Sequence, residues 1–227
     1  SKRDAIEIID GDRSAYALAG ILSQRERGRR LFAGTVESDV LLFRSVAERF
    51  PLATEINCVG DKWLLAGDRE RNLLIGQEVS GHLLFPAYIA NNETSRKVVL
   101  SGNGLLTMLV LAAAYGSRIP SYEQGYVNTF YTYNIDKSLF LRRSPIWKRD
   151  LTTIRKAFKK AASEGRFGGR SVFKTIARKE ETDMLYAGMF DEKGMPEAVV
   201  FVRKSGTENK IGTYMRGLMK HAELLEH

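Results

Sequence analysis

The segment from Arg203 to Thr207 combines the residue types that bind an oxyanion. It directly follows the apolar run AVVFV at 198–202. Arg203 supplies a fork of guanidinium donors, Ser205 and Thr207 supply hydroxyl donors, and Gly206 lets backbone N–H groups converge. The pattern predicts a phosphate-binding loop made of Arg203, Ser205, Gly206 and Thr207, and the alternative is a polar hairpin loop without a ligand.

A second loop, GQEVSGH at 76–82, offers groups that suit a sugar. Glu78, Ser80 and His82 alternate along the chain after an apolar run, so three hydrogen-bonding side chains share one edge of the loop. Sugar hydroxyls need both donors and acceptors, and this set supplies both. Lys62 in VGDK at 59–62 is a weaker candidate. For the 76–82 loop the alternative is a loop histidine without a role, and for 59–62 it is an ordinary turn.

Asp10 and Asp12 form the third candidate group. Their carboxylates are hard oxygen ligands, as Mg²⁺ prefers, but two are short of a full set. A solvated turn is the alternative. The sequence disfavours a zinc site, because Cys58 stands alone and only two histidines precede the last residue.

The elements that must position these loops follow from hydrophobic periodicity and from glycine and proline. Helices are predicted at 14–22, 36–50 and 104–115, the last of them buried, and strands at 4–10, 56–59 and 73–75. Pro86 makes a regular central strand after His82 unlikely. Residues 121–147 are interpreted as an irregular connection. A helix at 150–162 and strands at 184–190, 198–203 and 211–216 then predict an α+β unit.

Composition sets the broad class of protein. The chain has 227 residues, 44% hydrophobic and 27% charged, which indicates a folded protein with a core. No apolar stretch is long enough to cross a bilayer, so no membrane partner is expected. A single cysteine fits a reducing compartment, and we predict a cytoplasmic protein. The net charge of +8 favours anionic ligands without selecting one.

Taken in order, the loops resemble those of the α-D-phosphohexomutase family, which includes phosphomannomutases, phosphoglucomutases and phosphoglucosamine mutases. The family's loops DGDxDR, VGxK, GGExSGH, GDG and RxSGTEP have counterparts here in the same order. These counterparts are DGDR at 10–13, VGDK at 59–62, GQEVSGH at 76–82, SGNG at 101–104 and RKSGTEN at 203–209. The resemblance covers nearly the whole chain.

The resemblance implies an α/β third domain of the phosphohexomutase type followed by an α+β, TATA-binding-protein-like C-terminal domain. The implied divisions are a remnant of the metal-loop domain at 1–20, the sugar-binding domain at 21–128 and the phosphate-binding domain at 129–224. Residues 225–227 are interpreted as the remnant of an affinity tag.

The family's reaction passes a phosphate from a phosphoserine to a hexose phosphate and returns the other phosphate of the bisphosphate intermediate. By the resemblance, Mg²⁺ on Asp10 and Asp12 assists, and hexose phosphate is the expected partner. The carried-over sugar ligands are Glu78, Ser80, His82 and Lys62. The carried-over phosphate ligands are Arg203, Ser205, Gly206 and Thr207.

The departures from the family pattern shape the expected function. The serine motif TASHNP is absent, the metal loop keeps two aspartates of three, and Gln77 replaces a glycine. We therefore expect the C-terminal part of a phosphohexomutase, inactive alone, that acts with domains missing from this chain or self-associates. The alternative is a naturally short, non-catalytic module that binds hexose phosphate. Nucleic-acid binding by the basic segments 25–30 and 155–160 is unlikely, since no recognised motif accompanies them.

Overall fold

A computed structural model describes residues 8–66, 72–92 and 95–226. The chain divides into two compact units, residues 1–38 with 42–123 and residues 39–41 with 124–227. The strand predicted at 4–10 lies mostly outside the described residues. The domain boundary predicted after residue 20 falls within the first helix, and the predicted divisions stay predictions. No helix in the described ranges is long and apolar enough to cross a membrane.

The first unit is built on a five-stranded mixed sheet of order β2-β1-β3-β4-β5. Strand β1 pairs in parallel with β2 and β3, whereas β3 with β4 and β4 with β5 pair antiparallel. The elements in chain order are α1 (Gly11–Arg25), β1 (Leu31–Thr35), α2 (Val40–Arg49), β2 (Ala53–Asn57), α3 (Asp61–Leu64), β3 (Leu73–Gln77), β4 (Leu83–Asn92), β5 (Ser95–Ser101) and α4 (Gly104–Tyr115).

Strand β3 is the centre of this unit, because all five of its residues are buried. Helix α1 packs against it, with Ala15, Leu18 and Ala19 fully buried. Gly11 allows the helix start to approach the loop after β3, since a Cβ there would lie 2.5 Å from the carbonyl oxygen of Glu78. Helix and sheet thus hold the 76–82 loop from both sides.

The prediction that Pro86 does not lie in a regular central strand is confirmed, whereas the predicted burial of the helix at 104–115 is wrong. Pro86 lies within β4, opposite Leu100 of β5. Strand β3 pairs with β4 only at Leu83 and Leu84, so Pro86 has a neighbouring strand on one side, where a proline is tolerated. Helix α4 has the predicted bounds but is not buried, because only Thr107 and Leu111 lie in the core.

The second unit is a five-stranded antiparallel sheet of order β6-β10-β9-β8-β7. In the sequence, one long helix lies between the first and second strands of this unit, and it packs against the sheet. The elements in chain order are β6 (Tyr126–Tyr133), a 3-10 turn (Lys137–Leu139), α5 (Pro145–Ser163), β7 (Val172–Thr175), β8 (Leu185–Phe190), β9 (Pro196–Lys204), β10 (Lys210–Gly217), a second 3-10 turn (Met219–His221) and α6 (Ala222–Glu226).

Helix α5 confirms the amphipathic pattern of the sequence and begins earlier than predicted. The Ser144 side chain accepts a hydrogen bond from the Trp147 N–H, and Pro145 occupies the first turn. Trp147, Phe158 and Ala161 bury its apolar face against the sheet. The helix therefore covers the sheet from which the 203–207 loop extends.

The edge strand β6 corrects the interpretation of 121–147 as an irregular connection. Its eight residues pair with β10 from Tyr126 opposite Gly217 to Tyr133 opposite Lys210. At the other end of the chain, Leu225 is buried in the core beside Phe158 and Phe167. The segment interpreted as a tag remnant thus contributes a core side chain, and its origin stays a prediction.

Candidate functional site

The 76–82 loop forms a closed turn at the end of β3. The Glu78 N–H donates to the His82 carbonyl at 3.0 Å, and the Gly81 N–H donates to the Glu78 carbonyl at 2.9 Å. Gly81 has φ +90°, a conformation that side chains rarely adopt. The turn therefore brings Glu78 and His82 together and leaves Ser80 exposed at its tip.

The Glu78 carboxylate is held from the neighbouring loop. Its Oε1 accepts a hydrogen bond of 2.8 Å from the Gly60 N–H. Burial raises the pKa of Glu78 above its usual value, the negative charge of Asp61 raises it further, and the Gly60 hydrogen bond opposes both. A carboxylate placed in this way can accept hydrogen bonds from hydroxyl groups.

His82 lies between two carboxylates. Its Nδ1 is 3.1 Å from Asp61 Oδ1 and 4.0 Å from Glu78 Oε2, and its Nε2 is 3.2 Å from the Gly102 carbonyl oxygen. Asp61, Glu78 and His82 each offer one ligand atom, and these atoms lie within 4.8 Å of one another. The structure thus contains a possible metal-binding triad.

Asp61 is the member of this triad that sequence reasoning missed. It stands beside Lys62 in VGDK, where only the lysine was chosen as a ligand. Lys62 is exposed, with its Nζ 4.6 Å from the Trp63 ring centroid. Both residues belong to the one-turn helix α3, and Asp61 is the one whose carboxylate approaches the 76–82 loop.

Asp10 and Asp12 have other partners. The Asp10 side chain caps α1 by accepting a hydrogen bond of 2.8 Å from the Arg13 N–H. Asp12 is 3% exposed and accepts a hydrogen bond from the Gln77 side-chain amide, whose oxygen accepts one from the Ser38 hydroxyl. Gln77, which stands where the family has glycine, thus forms a buried hydrogen-bond network with Asp12 and Ser38.

The 203–209 loop consists of the last two residues of β9, Arg203 and Lys204, and the turn that joins β9 to β10 in the second unit. Its ends are closed by the Ser205 N–H, which donates to the Lys210 carbonyl at 3.0 Å. The Ser205 hydroxyl oxygen accepts hydrogen bonds from the N–H groups of Thr207 and Glu208 at 3.4 and 3.1 Å. Its own hydrogen then remains to be donated to an anion. Gly206 and Thr207 are exposed at the tip.

Three side chains that the sequence did not single out support this loop. Glu181 forms a two-point ion pair with Arg203, through Nε and Nη2, with both distances 3.0 Å. Asp183 accepts from Lys204 at 2.7 Å. Lys137 donates to the carbonyl oxygens of Ser205 and Glu208 at 3.0 and 2.8 Å. The acidic run 180–183 is visible in the sequence, but its partners are not.

A family model places the chain among known proteins. The model for phosphoglucomutase/phosphomannomutase, alpha/beta/alpha domain III, matches residues 10–130, which is more than half of the chain. The phosphoglucosamine mutase of Shouchella clausii is 32% identical over 102 residues, covering 44% of this chain and 20% of that protein. The phosphoglucosamine mutase of Ligilactobacillus salivarius is 24% identical over 214 residues, covering 87% of this chain and 44% of that protein.

Solved structures share the fold of both units. The Aspergillus fumigatus N-acetylphosphoglucosamine mutase, in complex with GlcNAc-6P and magnesium, matches with a TM-score of 0.59 and 14% identity over 99% of this chain and 46% of its own. A phosphoglucomutase/phosphomannomutase family protein from Burkholderia thailandensis matches with a TM-score of 0.55 and 16% identity over 97% of this chain and 41% of its own.

These matches confirm the predicted fold class, an α/β domain III with a mixed sheet followed by an α+β domain with an antiparallel sheet. The chain spans less than half of the length of these relatives. Because the family model matches residues 10–130, more than half of its length, the chain belongs to the phosphoglucomutase/phosphomannomutase family.

Proposed function

We propose that this chain recognises a hexose phosphate. The observation that carries the proposal is the closed turn at 78–82, which holds the Glu78 carboxylate and the His82 imidazole beside each other with the Ser80 hydroxyl exposed at the tip. Carboxylate, imidazole and hydroxyl together accept and donate the hydrogen bonds that a ring of sugar hydroxyls requires. Lys62, exposed in the adjoining one-turn helix, is the fourth carried-over sugar ligand.

The 203–209 loop is the proposed phosphate site. The Arg203 side chain is 15% exposed and is oriented by Glu181, Ser205 keeps a hydrogen to donate, and Gly206 and Thr207 are exposed. Charge-assisted hydrogen bonds to phosphate are stronger than neutral ones, so this loop is the expected source of phosphate affinity. Because the curated relatives are phosphoglucosamine mutases, glucosamine 6-phosphate is the first ligand to try.

The reaction that this recognition serves is the interconversion of hexose 1-phosphate and hexose 6-phosphate. By resemblance it proceeds through a phosphoserine and a bisphosphate intermediate. No serine of this chain is followed by His-Asn-Pro, so the chain lacks the nucleophile of the covalent step. We therefore expect the isolated chain to bind a hexose phosphate without interconverting it.

Magnesium belongs to the family's reaction, and one solved relative is a magnesium complex. The Asp10 and Asp12 pair fits this ion poorly, because Asp12 is 3% exposed and hydrogen-bonded to Gln77 while Asp10 caps α1. Mg²⁺ requires near-octahedral oxygen coordination that such engaged carboxylates do not provide. No step of the recognition proposed here depends on Mg²⁺.

Because Asp12 is hydrogen-bonded to Gln77 and poorly placed to hold Mg²⁺, a second candidate function is a naturally short, non-catalytic module that senses or sequesters a hexose phosphate. Intact mass spectrometry of the native protein, captured from its source cells, separates the two. A mass near 25.5 kDa supports the module, and a mass near twice that supports a complete mutase.

Calorimetric titration with glucosamine 6-phosphate tests the proposed phosphate site. We expect Thr207→Ala to weaken binding by roughly tenfold, the effect of losing one hydrogen bond to a charged group. Thr152→Ala is the matched control, since Thr152 is exposed on α5 and bonds only its own helix at Lys148. Equal affinity of wild type and Thr207→Ala, or no binding by either, contradicts the proposal.

A further inference from the structure

We propose that Asp61, Glu78 and His82 form a binding site for a divalent transition-metal cation such as Zn²⁺. The proposal rests on how the His82 ring is held and on what surrounds its other nitrogen. It is separate from the predicted Mg²⁺ pair Asp10 and Asp12.

The tautomer of His82 follows from its contact with Gly102. A backbone carbonyl oxygen only accepts hydrogen bonds, so the Nε2 atom 3.2 Å from the Gly102 oxygen carries the hydrogen. In the neutral imidazole the lone pair then resides on Nδ1. A metal-bound histidine is held in the same way, with its second ring nitrogen donating to a carbonyl or carboxylate.

Three acceptor atoms consequently face one another. The Nδ1 lone pair of His82 lies 3.1 Å from Asp61 Oδ1 and 4.0 Å from Glu78 Oε2. Asp61 Oδ1 is shielded from water and accepts no hydrogen bond from any residue that the structure describes. Three acceptors converge stably only around a positive charge, which is either a second proton on His82 or a metal ion.

The spacing and chemistry of the set suit a transition metal. Two ligands of a tetrahedral zinc ion, each about 2.0–2.1 Å from the metal, lie roughly 3.4 Å apart, so a small rotation of Glu78 completes the geometry. One imidazole nitrogen with two carboxylate oxygens suits Zn²⁺ better than Mg²⁺, which prefers oxygen ligands throughout. The fourth position is left for water.

Partners outside the triad hold its ligands in place. The Gly60 N–H fixes Glu78 Oε1 at 2.8 Å, and the Gly102 carbonyl fixes the His82 ring. The expectation that the chain has no zinc site came from counting cysteines and histidines, which overlooks carboxylates brought in from other loops. The site adds Asp61 from α3 to two residues of the 76–82 loop.

One consequence rests on the proposed function. Glu78 and His82 are also the proposed sugar ligands, so bound Zn²⁺ and a hexose phosphate compete for them. The metal site itself does not require that the sugar proposal hold, because zinc binding is measured without any sugar present.

Calorimetric titration of the full chain with zinc chloride tests the site. We expect one ion per chain, binding weakened about tenfold or more by Asp61→Asn and by His82→Gln, and no comparable binding of magnesium chloride. Asp150→Asn, a change of the same type on α5, should bind zinc as the wild type does. Thermal melts followed by circular dichroism establish that each variant is folded.

Cobalt chloride gives a second readout on the wild type alone, because tetrahedral Co²⁺ absorbs visible light strongly. Absence of zinc binding, or zinc binding that both triad variants leave unchanged, overturns the metal site. Zinc binding that glucosamine 6-phosphate does not weaken, although that sugar binds, overturns the competition only. Absence of sugar binding with zinc binding intact refutes the proposed function and leaves the metal site standing.

Discussion

At the scale of single residues, Gly102 decides where the His82 ring lies. A Cβ at Gly102 would be 2.5 Å from His82 Nε2 and 2.9 Å from a methyl of Leu84. We expect Gly102→Ala to displace the imidazole and weaken binding of glucosamine 6-phosphate several-fold, as measured by calorimetry.

Gly104→Ala is the control for that prediction, because nothing lies within 4 Å of a Cβ at Gly104. Its affinity should equal that of the wild type. Equal affinities for both alanine variants would mean that the position of His82 does not matter for recognition.

Lys137 supports the backbone of the proposed phosphate loop. Its ammonium group donates to two carbonyl oxygens of the loop, at Ser205 and Glu208. Lys137→Met removes these hydrogen bonds and a positive charge, so we expect phosphate affinity to fall by roughly tenfold. Lys148→Met on the exposed face of α5 provides the matched control. A loss of affinity in both variants would indicate only a change of net charge.

The residue types of both loops were predictable from the sequence, but their partners were not. Glu78 and His82 were chosen because they alternate within one loop, which local sequence reveals. Asp61 and Glu181 act on residues 17 to 22 positions away, as their contacts with Glu78, His82 and Arg203 require. Such pairings are set by how strands and helices pack, and spacing along the chain does not encode them.

At the scale of elements, the second 3-10 turn makes the second unit sensitive to acid. His221 is 1% exposed and stacks on Phe167 with ring centroids 4.3 Å apart. Burial lowers the pKa of His221 from 6.5 to about 4, and neighbouring Lys220 and Arg166 lower it while Glu197 raises it.

Folding stability should therefore fall on acidification between pH 6.5 and pH 4. In that window the unfolded chain binds a proton at His221 that the folded chain excludes, which costs up to about 3 kcal/mol. Urea unfolding at a series of pH values measures this. His221→Phe should make the stability depend less on pH than in the wild type. Parallel curves for the two proteins would show that His221 does not contribute to the pH dependence of stability.

The helices and strands differ in how well the sequence predicts them. The body of helix α5 was predictable from its 3.6-residue apolar period, whereas its earlier start at the Ser144 cap was not. Strand β6 was missed although YVNTFYTY is rich in strand-forming residues, because its partner β10 lies far along the chain. Pro86 argues against a regular central strand, and β4 indeed has a single neighbouring strand at that point. Whether a residue has neighbouring strands on one side or on both depends on how the sheet is assembled, which the local sequence does not reveal.

At the scale of the whole molecule, α4 leaves an apolar face uncovered. Leu105, Met108 and Leu109 are 62%, 57% and 54% exposed, although the helix was expected to be buried because it is apolar nearly all round. The described part of the chain covers only the side of Thr107 and Leu111. Contiguous exposed apolar side chains favour association.

We expect the chain to self-associate as its concentration rises, and Leu109→Lys to reduce this without lowering the melting temperature. Light scattering across a concentration series measures the first effect, and calorimetric melting measures the second. A wild type that stays monomeric at high concentration, or a variant that associates equally, would contradict the assignment of this face.

The proposed function assigns sugar recognition to the 76–82 loop and phosphate recognition to the 203–209 loop. Calorimetric titration with glucosamine 6-phosphate, glucosamine and inorganic phosphate tests it most directly. We expect glucosamine 6-phosphate to bind more tightly than glucosamine or inorganic phosphate, and Ser80→Ala and Ser205→Ala each to weaken its binding. If glucosamine 6-phosphate binds no more tightly than inorganic phosphate, and both variants bind it as the wild type does, the proposed function is wrong.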